Sequence, residues 1–354
     1  HYKWKIMPSV LDNLKFNKID PPGMIDYIDN YASQIHDALK IGAKFIVPSY
    51  YIKIKKVVFL GMGGSGIGAE LVKSLLGDCP MPMECVHNYS LPAYTDSETL
   101  VVVCSYSGET EEAIAGFFES RQRNAKIIII ATGGKLKSLA GKFKIPCISY
   151  DFESTPRAAY LYSFIFLLMI FSRLGFFKLD NHLINDVFAS LEKTQSKFSP
   201  DNNTISNPAK LLAEKIANKV VIIYASHLLI AVAKRFKTQI NENSKNFAFF
   251  EELPELNHNA VEGYAHPQGA CAIISLESNF EINRINLRQN ITSDLINRNH
   301  IPYERVRFIS SQTRLSEILA MLQFADYVSY YLAILNKVDP STTSNIDYLK
   351  GRLN

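Results

Sequence analysis

The chain has 354 residues, and 47% of them are hydrophobic, which is enough to bury a core in each of two domains of similar size. Lys and Arg exceed Asp and Glu by 38 − 34 = 4 with no long basic run, so the charge pattern does not indicate a nucleic-acid partner. The five cysteines are odd in number and lack Cys-x-x-Cys spacing, which argues against disulfides and a zinc site and favours reduced thiols in the cytoplasm.

The first half of the chain repeats one local design. A short apolar strand, a turn rich in glycine and serine, and a helix are predicted for KKVVFLGMGGSGIGAELVKSLLG and again for TLVVVCSYSGETEEAIAGFFESRQRN. AKIIIIATGG and PCISYD follow as further strands. Strands that alternate with helices predict parallel pairing, right-handed crossovers and helices on both faces of a sheet.

The first of these turns, GMGGSGIGAE, fits the dinucleotide pattern Gly-x-Gly-x-x-Gly at Gly61, Gly63 and Gly66. A single match of this kind is weakly specific. The acidic residue that should end a second strand about twenty residues later has no good counterpart, and Ser65 adds a hydroxyl to the tightest part of the turn. We therefore expect neither a nucleotide nor another cofactor.

The second turn, SYSGET, places three hydroxyl side chains and a glycine between a strand and a helix. A helix N-terminus presents unpaired backbone amides and partial positive charge, which suit a phosphate. Ser105, Ser107 and Thr110 would add donors, and Gly108 would let the backbone approach the anion. A simple helix cap is the alternative, but a cap accounts for one hydroxyl only. The pattern favours a phosphate site at the carboxyl edge of a parallel sheet.

Residues 158–177, AAYLYSFIFLLMIFSRLGFF, form the most apolar segment of the first half. A membrane-spanning helix needs about twenty nearly continuous apolar residues, and Ser172 and Arg173 interrupt this run. A helix buried in a core or a subunit interface is therefore favoured. The first residues, HYKWKIMPSVLDN, also lack the apolar region of a signal peptide, and no membrane partner is expected.

The second half resumes the alternation after a polar connection, EKTQSKFSPDNNTISNP. NKVVIIYASHLLIAVAKRFKTQINENSK predicts a strand, a turn and a helix, with Glu242 just after that helix. GACAIISL and YERVRFIS predict strands, and RLSEILAMLQFADYVSYYLAILNKV predicts a long helix. The chain is therefore expected to be an α/β protein with two halves of similar design.

The motifs resemble a known family. GMGGSGIGAE with SYSGETEE resembles the sugar isomerase (SIS) domain, whose Ser-x-Ser-Gly-x-Thr loop holds a sugar phosphate. Further along, STPRAA, NENSK, ELPELNHNAVEGY and NIDYLKGRL together resemble the bifunctional phosphoglucose/phosphomannose isomerases of archaea and bacteria, from about Leu60 to the end. The resemblance implies two flavodoxin-like SIS domains, each with three αβα layers and a mainly parallel sheet. They would be residues 1–200, with an N-terminal helical extension, and residues 201–354.

The resemblance also implies which residues bind and react. Phosphate would be held by residues of both turns, which are Gly63, Gly64, Ser65, Ser105, Ser107 and Thr110. Converting an aldose phosphate to a ketose phosphate moves a proton between adjacent carbons through an enediolate, which needs a base, an electrophile and a group that opens the ring. The motifs assign the base to Glu242, ring opening to His258 with Lys350, enediolate stabilisation to Arg157, and acceptance of both epimers to Thr343.

Several alternatives stay open at the level of sequence. Glu252 and Glu255 compete with Glu242 as the base, and His266 competes with His258. In related isomerases the histidine comes from the second subunit, which implies a homodimer with shared active sites. No paired His, Cys or Glu spacing indicates a metal site. A non-catalytic sugar-phosphate sensor and an isomerase of another phosphosugar, such as an amino-sugar phosphate, are the alternative functions.

Overall fold

The computed structural model describes residues 9–267, 269–308 and 311–353. The first eight residues of the predicted N-terminal extension lie outside this part. The helices are α1 (Val10–Asn13), α2 (Phe16–Ile19), α3 (Met24–Asp29), α4 (Tyr31–Ala43), α5 (Gly63–Leu75), α6 (Glu111–Gln122), α7 (Gly134–Phe143), α8 (Tyr160–Arg173), α9 (Asn181–Phe198), α10 (Pro208–Ile216), α11 (Ile230–Ser244), α12 (Asn283–Arg298), α13 (Arg314–Leu335) and α14 (Ser344–Leu353). The strands are β1 (Lys56–Leu60), β2 (Met83–Val86), β3 (Thr99–Cys104), β4 (Lys126–Ala131), β5 (Cys147–Ser149), β6 (Val220–Ser226), β7 (Ala248–Leu253), β8 (Cys271–Leu276) and β9 (Tyr303–Val306). Short 3₁₀ helices span Ser49–Lys53, Thr204–Ser206, His227–Leu229, Glu255–His258 and Ala260–Ala265.

The chain folds into two compact units. The first unit is Tyr31–Ile184, and the second unit comprises the residues up to Asn30 and those from Asn185 onward. Packing therefore groups α1 to α3 and most of α9 with the second half, whereas the sequence pattern places a domain boundary at residue 200. The apolar face of α9 explains its grouping, because the ring of Phe198 lies 5.0 Å from that of Phe324 in α13. The bounds 1–200 and 201–354 stay a prediction about the two domains.

The first unit contains a five-stranded sheet in the order β2-β1-β3-β4-β5, in which every pair is parallel. This is the flavodoxin-like order. All six residues of β3 are buried, as expected for a strand covered on both faces. Helices α6 and α7 cover one face, and α8 covers the other, where Phe59 stacks on Phe171 with centroids 5.8 Å apart. The three-layer α/β class predicted for this half is confirmed.

Helix α8 is the apolar segment that stood out in the sequence. It is buried along almost its whole length and packs against α4 and α5 within the first unit. Close packing on α5 needs a small residue there, because a Cβ at Gly68 would lie 2.6 Å from Ser163 Oγ. The apolar composition of α8 thus fits a core helix. By length and composition, one described helix could span a membrane, namely α13, and it is almost entirely buried in the second unit.

The second unit contains a four-stranded parallel sheet in the order β7-β6-β8-β9, so β7 is an edge strand. Helix α11 packs against β6 and β7, and α13 packs against α11 and α10. On the other face, Ile296 of α12 packs with Tyr224 and Ile273 of the sheet. Helix α13 begins with a capping box formed by Thr313 and Ser316. The predicted α/β class is confirmed here too.

Candidate active site

The SYSGET turn lies at the carboxyl edge of the first sheet, between β3 and α6. Ser105 is buried, and its Oγ accepts the Gly108 amide at 3.1 Å and lies 2.8 Å from Thr110 Oγ1. Thr110 occupies the N-cap position, yet its side chain makes no capping bond with the described amides of α6. A helix cap therefore does not account for the Thr110 hydroxyl. Ser107 is exposed, which leaves its side chain accessible to a ligand.

Gly108 is required by the backbone geometry of this turn. Its φ is +72°, and a Cβ there would lie 2.0 Å from the carbonyl oxygen of Gly133. The loop before α7 also lies close to this turn. A Cβ at Gly134, whose φ is +67°, would lie 2.4 Å from the Ser107 carbonyl oxygen. The Glu109 carboxylate accepts the Lys135 amide at 2.7 Å. The turn is thus fixed against the start of α7.

The glycine-rich turn between β1 and α5 stands beside SYSGET. Ser65 Oγ accepts the Tyr106 amide at 2.9 Å, so the two turns are joined directly. Gly63 begins α5 with a φ of +50°. A Cβ at Gly66 would lie 2.5 Å from the Gly61 carbonyl oxygen. The two turns therefore form one continuous rim of backbone amides and hydroxyls.

Arg157 lies against this rim. A Cβ at Gly64 would lie 2.5 Å from the Pro156 carbonyl oxygen and 3.1 Å from Arg157 Cα, so the two segments touch through their backbones. Arg157 is only 4% exposed, which excludes an ordinary surface arginine. Tyr106 holds the same segment, because its hydroxyl donates to the Phe152 carbonyl at 2.6 Å. The structure thus places the backbone of Arg157 directly beside Gly64 of the glycine-rich turn.

Cys104 precedes the SYSGET turn directly. Burial raises the pKa of its thiol to about 12, and nearby Cys85 raises it further in the same direction. A thiol is nucleophilic as its thiolate, so Cys104 stays neutral and unreactive near neutral pH. Among residues 9–267, 269–308 and 311–353, no group of three or more His, Cys, Asp or Glu side chains could hold a metal ion.

Glu242 lies in the second unit, in the last turn of α11. Its sequence context predicts a position after the helix, but α11 continues to Ser244 and ends where Lys245 adopts a left-handed φ of +55°. Glu242 is half-buried and lines a cavity of about 580 Å³. Thr343, which precedes α14, lines the same cavity. The structure therefore brings the predicted base and the predicted epimer-accepting threonine together.

The two asparagines beside Glu242 make different contacts. Asn243 is fully buried, and its side-chain amide donates to Ser329 Oγ at 3.0 Å, so it ties α11 to α13. Asn241 lines the cavity and donates to the Asn246 carbonyl at 2.8 Å. The end of α11 is thus fixed on its core side by Asn243.

His258 and Lys350 are not among the described residues that line this cavity. His258 ends the 3₁₀ helix Glu255–His258 and is exposed. Lys350 is exposed on α14, a helix with no buried residue. The side chain of His258 is therefore accessible to solvent in this chain.

The competing residues also have clear positions. His266 lines a separate, mainly apolar cavity of about 580 Å³ on the face of the second sheet. Glu252 is exposed on the edge strand β7, and Glu255 is exposed and accepts the Asn259 amide at 3.1 Å. Neither glutamate is among the described residues of the cavity that Glu242 lines. This arrangement favours Glu242 among the three glutamates.

Two residues with clear structural roles were not identified from the sequence. Tyr106 lies between the serines and holds both the glycine-rich turn and the segment before Arg157. Lys245 ends α11 and contacts the loop before Thr343. A signal for Lys245 existed, since a basic side chain at the end of a helical pattern is typical of a residue that bonds the last helical carbonyls.

Comparisons with known proteins show the family to which this chain belongs. The SIS domain family model matches residues 50–172, and the model of the bacterial phospho-glucose isomerase C-terminal SIS domain matches residues 205–353. A bifunctional phosphoglucose/phosphomannose isomerase of Caldicellulosiruptor bescii is 38% identical over 93% of this chain and 98% of its own length. The chain belongs to the bifunctional phosphoglucose/phosphomannose isomerase family. Another family member, from Aquifex aeolicus, is 29% identical over 84% of this chain and 90% of its own.

Other similarities lie just outside this family. A D-glucosamine-6-phosphate 4-epimerase of Sulfolobus acidocaldarius is 37% identical over 61% of this chain and 66% of its own. The C-terminal domain of glucosamine-fructose-6-phosphate aminotransferase from Francisella tularensis has a TM-score of 0.71 at 15% identity, covering 94% of this chain and 100% of that one. A hypothetical protein of Thermus thermophilus has a TM-score of 0.73 at 12% identity, covering 96% and 93%. These two structures show the fold alone.

Proposed function

We propose that this chain interconverts glucose 6-phosphate, and also mannose 6-phosphate, with fructose 6-phosphate through an enediolate. The observation that carries the proposal is the cavity that Glu242 and Thr343 share in a member of the phosphoglucose/phosphomannose isomerase family. A half-buried carboxylate beside a cavity of this size can accept a proton from a bound sugar.

The phosphate is held by the first unit. Gly63 and Gly64 let the backbone approach the anion, and the hydroxyls of Ser65, Ser105, Ser107 and Thr110 donate to its oxygens. The hydroxyl pair Ser105–Thr110 and the bond from the Tyr106 amide to Ser65 support this role, because they preorganise the rim before a ligand arrives.

The second unit supplies the base. Glu242 takes the proton from C2 of the open aldose and returns it to C1, so the carboxyl group is protonated only while the enediolate exists. Arg157 stabilises the negative charge on the enediolate oxygens, and its burial supports a strong interaction, since a desolvated guanidinium is poorly screened. His258 and Lys350 move the protons that open the ring.

The same proposal includes a homodimer with shared active sites. His258 is exposed and lies outside the described lining of the Glu242 cavity, which supports a role in the site of a second copy. We also propose a cytoplasmic location without cofactor, metal, nucleic-acid or membrane partners. Free thiols at Cys79, Cys104, Cys147 and Cys271 support a reducing compartment.

The activity is tested with purified protein and three substrates. Glucose 6-phosphate and mannose 6-phosphate should both yield fructose 6-phosphate, and solvent deuterium should enter at C2 of the recovered aldose. Glucosamine 6-phosphate belongs in the same assay, because the 37% identity to a D-glucosamine-6-phosphate 4-epimerase favours an amino sugar as the second candidate. Conversion of glucosamine 6-phosphate alone would replace the proposed activity with that candidate, and no conversion of any of the three would favour a sensor.

The shared site is tested by mixing two inactive variants. Glu242→Gln and His258→Ala homodimers should regain part of the activity after subunit exchange, because each mixed dimer would contain one intact site. Exchange is verified separately with a mass label. Full exchange without recovered activity would show that both residues act within one chain.

A further inference from the structure

The ammonium group of Lys245 joins two walls of the Glu242 cavity. Its Nζ donates to the carbonyl oxygens of Glu242 at 2.7 Å and Asn243 at 3.3 Å, both at the end of α11. The same Nζ lies 2.7 Å from the carbonyl oxygen of Asp339 and 2.9 Å from that of Thr342, so its three N–H donors are shared among four carbonyls. One charged atom therefore connects the backbone of the base to the loop that leads into α14.

The bonds from the Lys245 ammonium group are strong because two of the carbonyls lie at the end of a helix. The last carbonyls of a helix have no intrahelical partner and carry partial negative charge. Hydrogen bonds from an ammonium group are roughly twice as strong as those between neutral groups. Lys245 thus satisfies the end of α11 and at the same time holds a loop of distant sequence against it.

The two walls differ in how else they are fixed. The end of α11 is tied to α13 by Asn243, and Asn336 donates to the Ser244 carbonyl at 2.9 Å. The loop at 339–342 has bonds within itself, such as the Ser341 amide to Asp339 Oδ1 at 2.7 Å. Loss of the ammonium group should therefore loosen the loop, while the helix end keeps its bonds to Ser329 and Asn336.

The geometry points to Lys245 as a positioning residue that sets the separation of Glu242 and Thr343 and thereby the preference between C2 epimers. Thr343 follows the bonded Thr342 directly and lines the same cavity as Glu242. This inference rests on the proposed isomerase activity.

The effect on selectivity follows from the stereochemistry. Glucose 6-phosphate and mannose 6-phosphate differ at the carbon from which the base removes the proton. Groups that face the base across the cavity decide how each epimer presents that hydrogen, and a misplacement of about 1 Å can cost about a hundredfold in rate. A loosened loop should affect the two epimers unequally.

The test is Lys245→Gly with Lys144→Gly as the matched control. Lys245 and Lys144 end α11 and α7 with φ of +55° and +54°, so glycine relieves the same backbone strain at both positions. Lys144 is exposed and lies in the first unit. Any effect found at Lys245 and not at Lys144 therefore comes from the ammonium contacts.

The measured quantity is the ratio of kcat/KM for mannose 6-phosphate to that for glucose 6-phosphate. This ratio does not depend on the fraction of folded enzyme, so partial misfolding cannot imitate the effect. Lys245→Gly should change it about tenfold and lower kcat, whereas inhibition by inorganic phosphate and the ratio in Lys144→Gly should stay at the wild-type values. Lys245→Arg, which keeps the charge and several donors, should restore the ratio toward wild type.

The outcomes separate this inference from the proposed function. A wild-type protein that converts neither sugar refutes the isomerase activity itself. A wild type that converts both, with an unchanged ratio in Lys245→Gly, refutes the role of Lys245 alone. If Lys245→Gly does not fold, Lys245→Gln takes its place, and its ratio must shift in the same way. Faster amide exchange at residues 339–347, without faster exchange at 63–75, would identify the released loop.

Discussion

The two units place their candidate residues at opposite edges of their sheets. In the first unit, the turns lie where β1 and β3 end and where α5 and α6 begin. In the second unit, Glu242 lies where α11 ends and β7 is about to begin. Helix N-termini present amides that attract an anion, whereas a helix C-terminus presents carbonyls that attract a cation such as Lys245. In the proposed function the two similar folds therefore have different tasks, one binding phosphate and the other transferring a proton.

The largest expected effect tests whether the chemistry belongs to the second unit. Glu242→Gln keeps the size of the side chain but removes the proton acceptor, so kcat should fall at least about a hundredfold. Affinity for fructose 6-phosphate should barely change, because the proposed phosphate site is formed by residues of the first unit. Deuterium exchange at C2 should be lost together with turnover, since both depend on the same proton abstraction.

The controls for this change are Glu252→Gln and Glu255→Gln, which alter exposed carboxylates of the same unit. Both variants should keep wild-type turnover. If Glu242→Gln isomerises normally while one of these two abolishes activity, the base is wrongly assigned. The end of α11 would then have no catalytic role to contrast with the turns of the first unit.

A smaller effect tests whether the first unit only binds. Ser107→Ala removes one hydroxyl from a charged acceptor, a contact of about 1.5–3 kcal/mol, so KM should rise roughly tenfold or more. The contact persists in the transition state, so kcat should stay near the wild-type value. Thr110→Ala should behave similarly, because it also leaves Ser105 Oγ without its neighbour at 2.8 Å.

Ser138→Ala is the matched control, since Ser138 is an exposed serine on α7 of the same unit. It should leave both constants unchanged. A fall in kcat without a rise in KM in Ser107→Ala would show that the turn takes part in the chemical step.

Much of the fold could be predicted from local sequence, because parallel strands covered on both faces read as continuous apolar runs. The strand TLVVVC and the following SYSGET turn illustrate this, since β3 is fully buried and ends where the hydroxyls begin. The grouping of α1 to α3 with the second half could not be predicted. It depends on contacts between distant residues, such as the bond from Gln323 Nε2 to the Ile28 carbonyl at 2.9 Å.

The part of the candidate site that lies on a single turn could be predicted from the sequence. Ser105, Ser107, Gly108 and Thr110 are close in sequence, so their proximity in space follows from the turn itself. The proximity of Glu242 and Thr343 does not follow from any local pattern. It depends on the loop after α13, which returns to the end of α11. There the Lys245 ammonium group bonds the carbonyl oxygens of Asp339 and Thr342, residues distant from it in sequence.

The interlocked glycines of the first unit restrict how its ligand site can change through mutation. A side chain at Gly108 would meet Gly133, and one at Gly134 would meet Ser107, so neither Gly108 nor Gly134 can be substituted without displacing the other loop. The side chain of Ser107 is exposed, so a new specificity is expected to arise more readily by substitution there than at the two glycines. Directed evolution of this rim should concentrate its diversity at that single position and leave the paired glycines untouched.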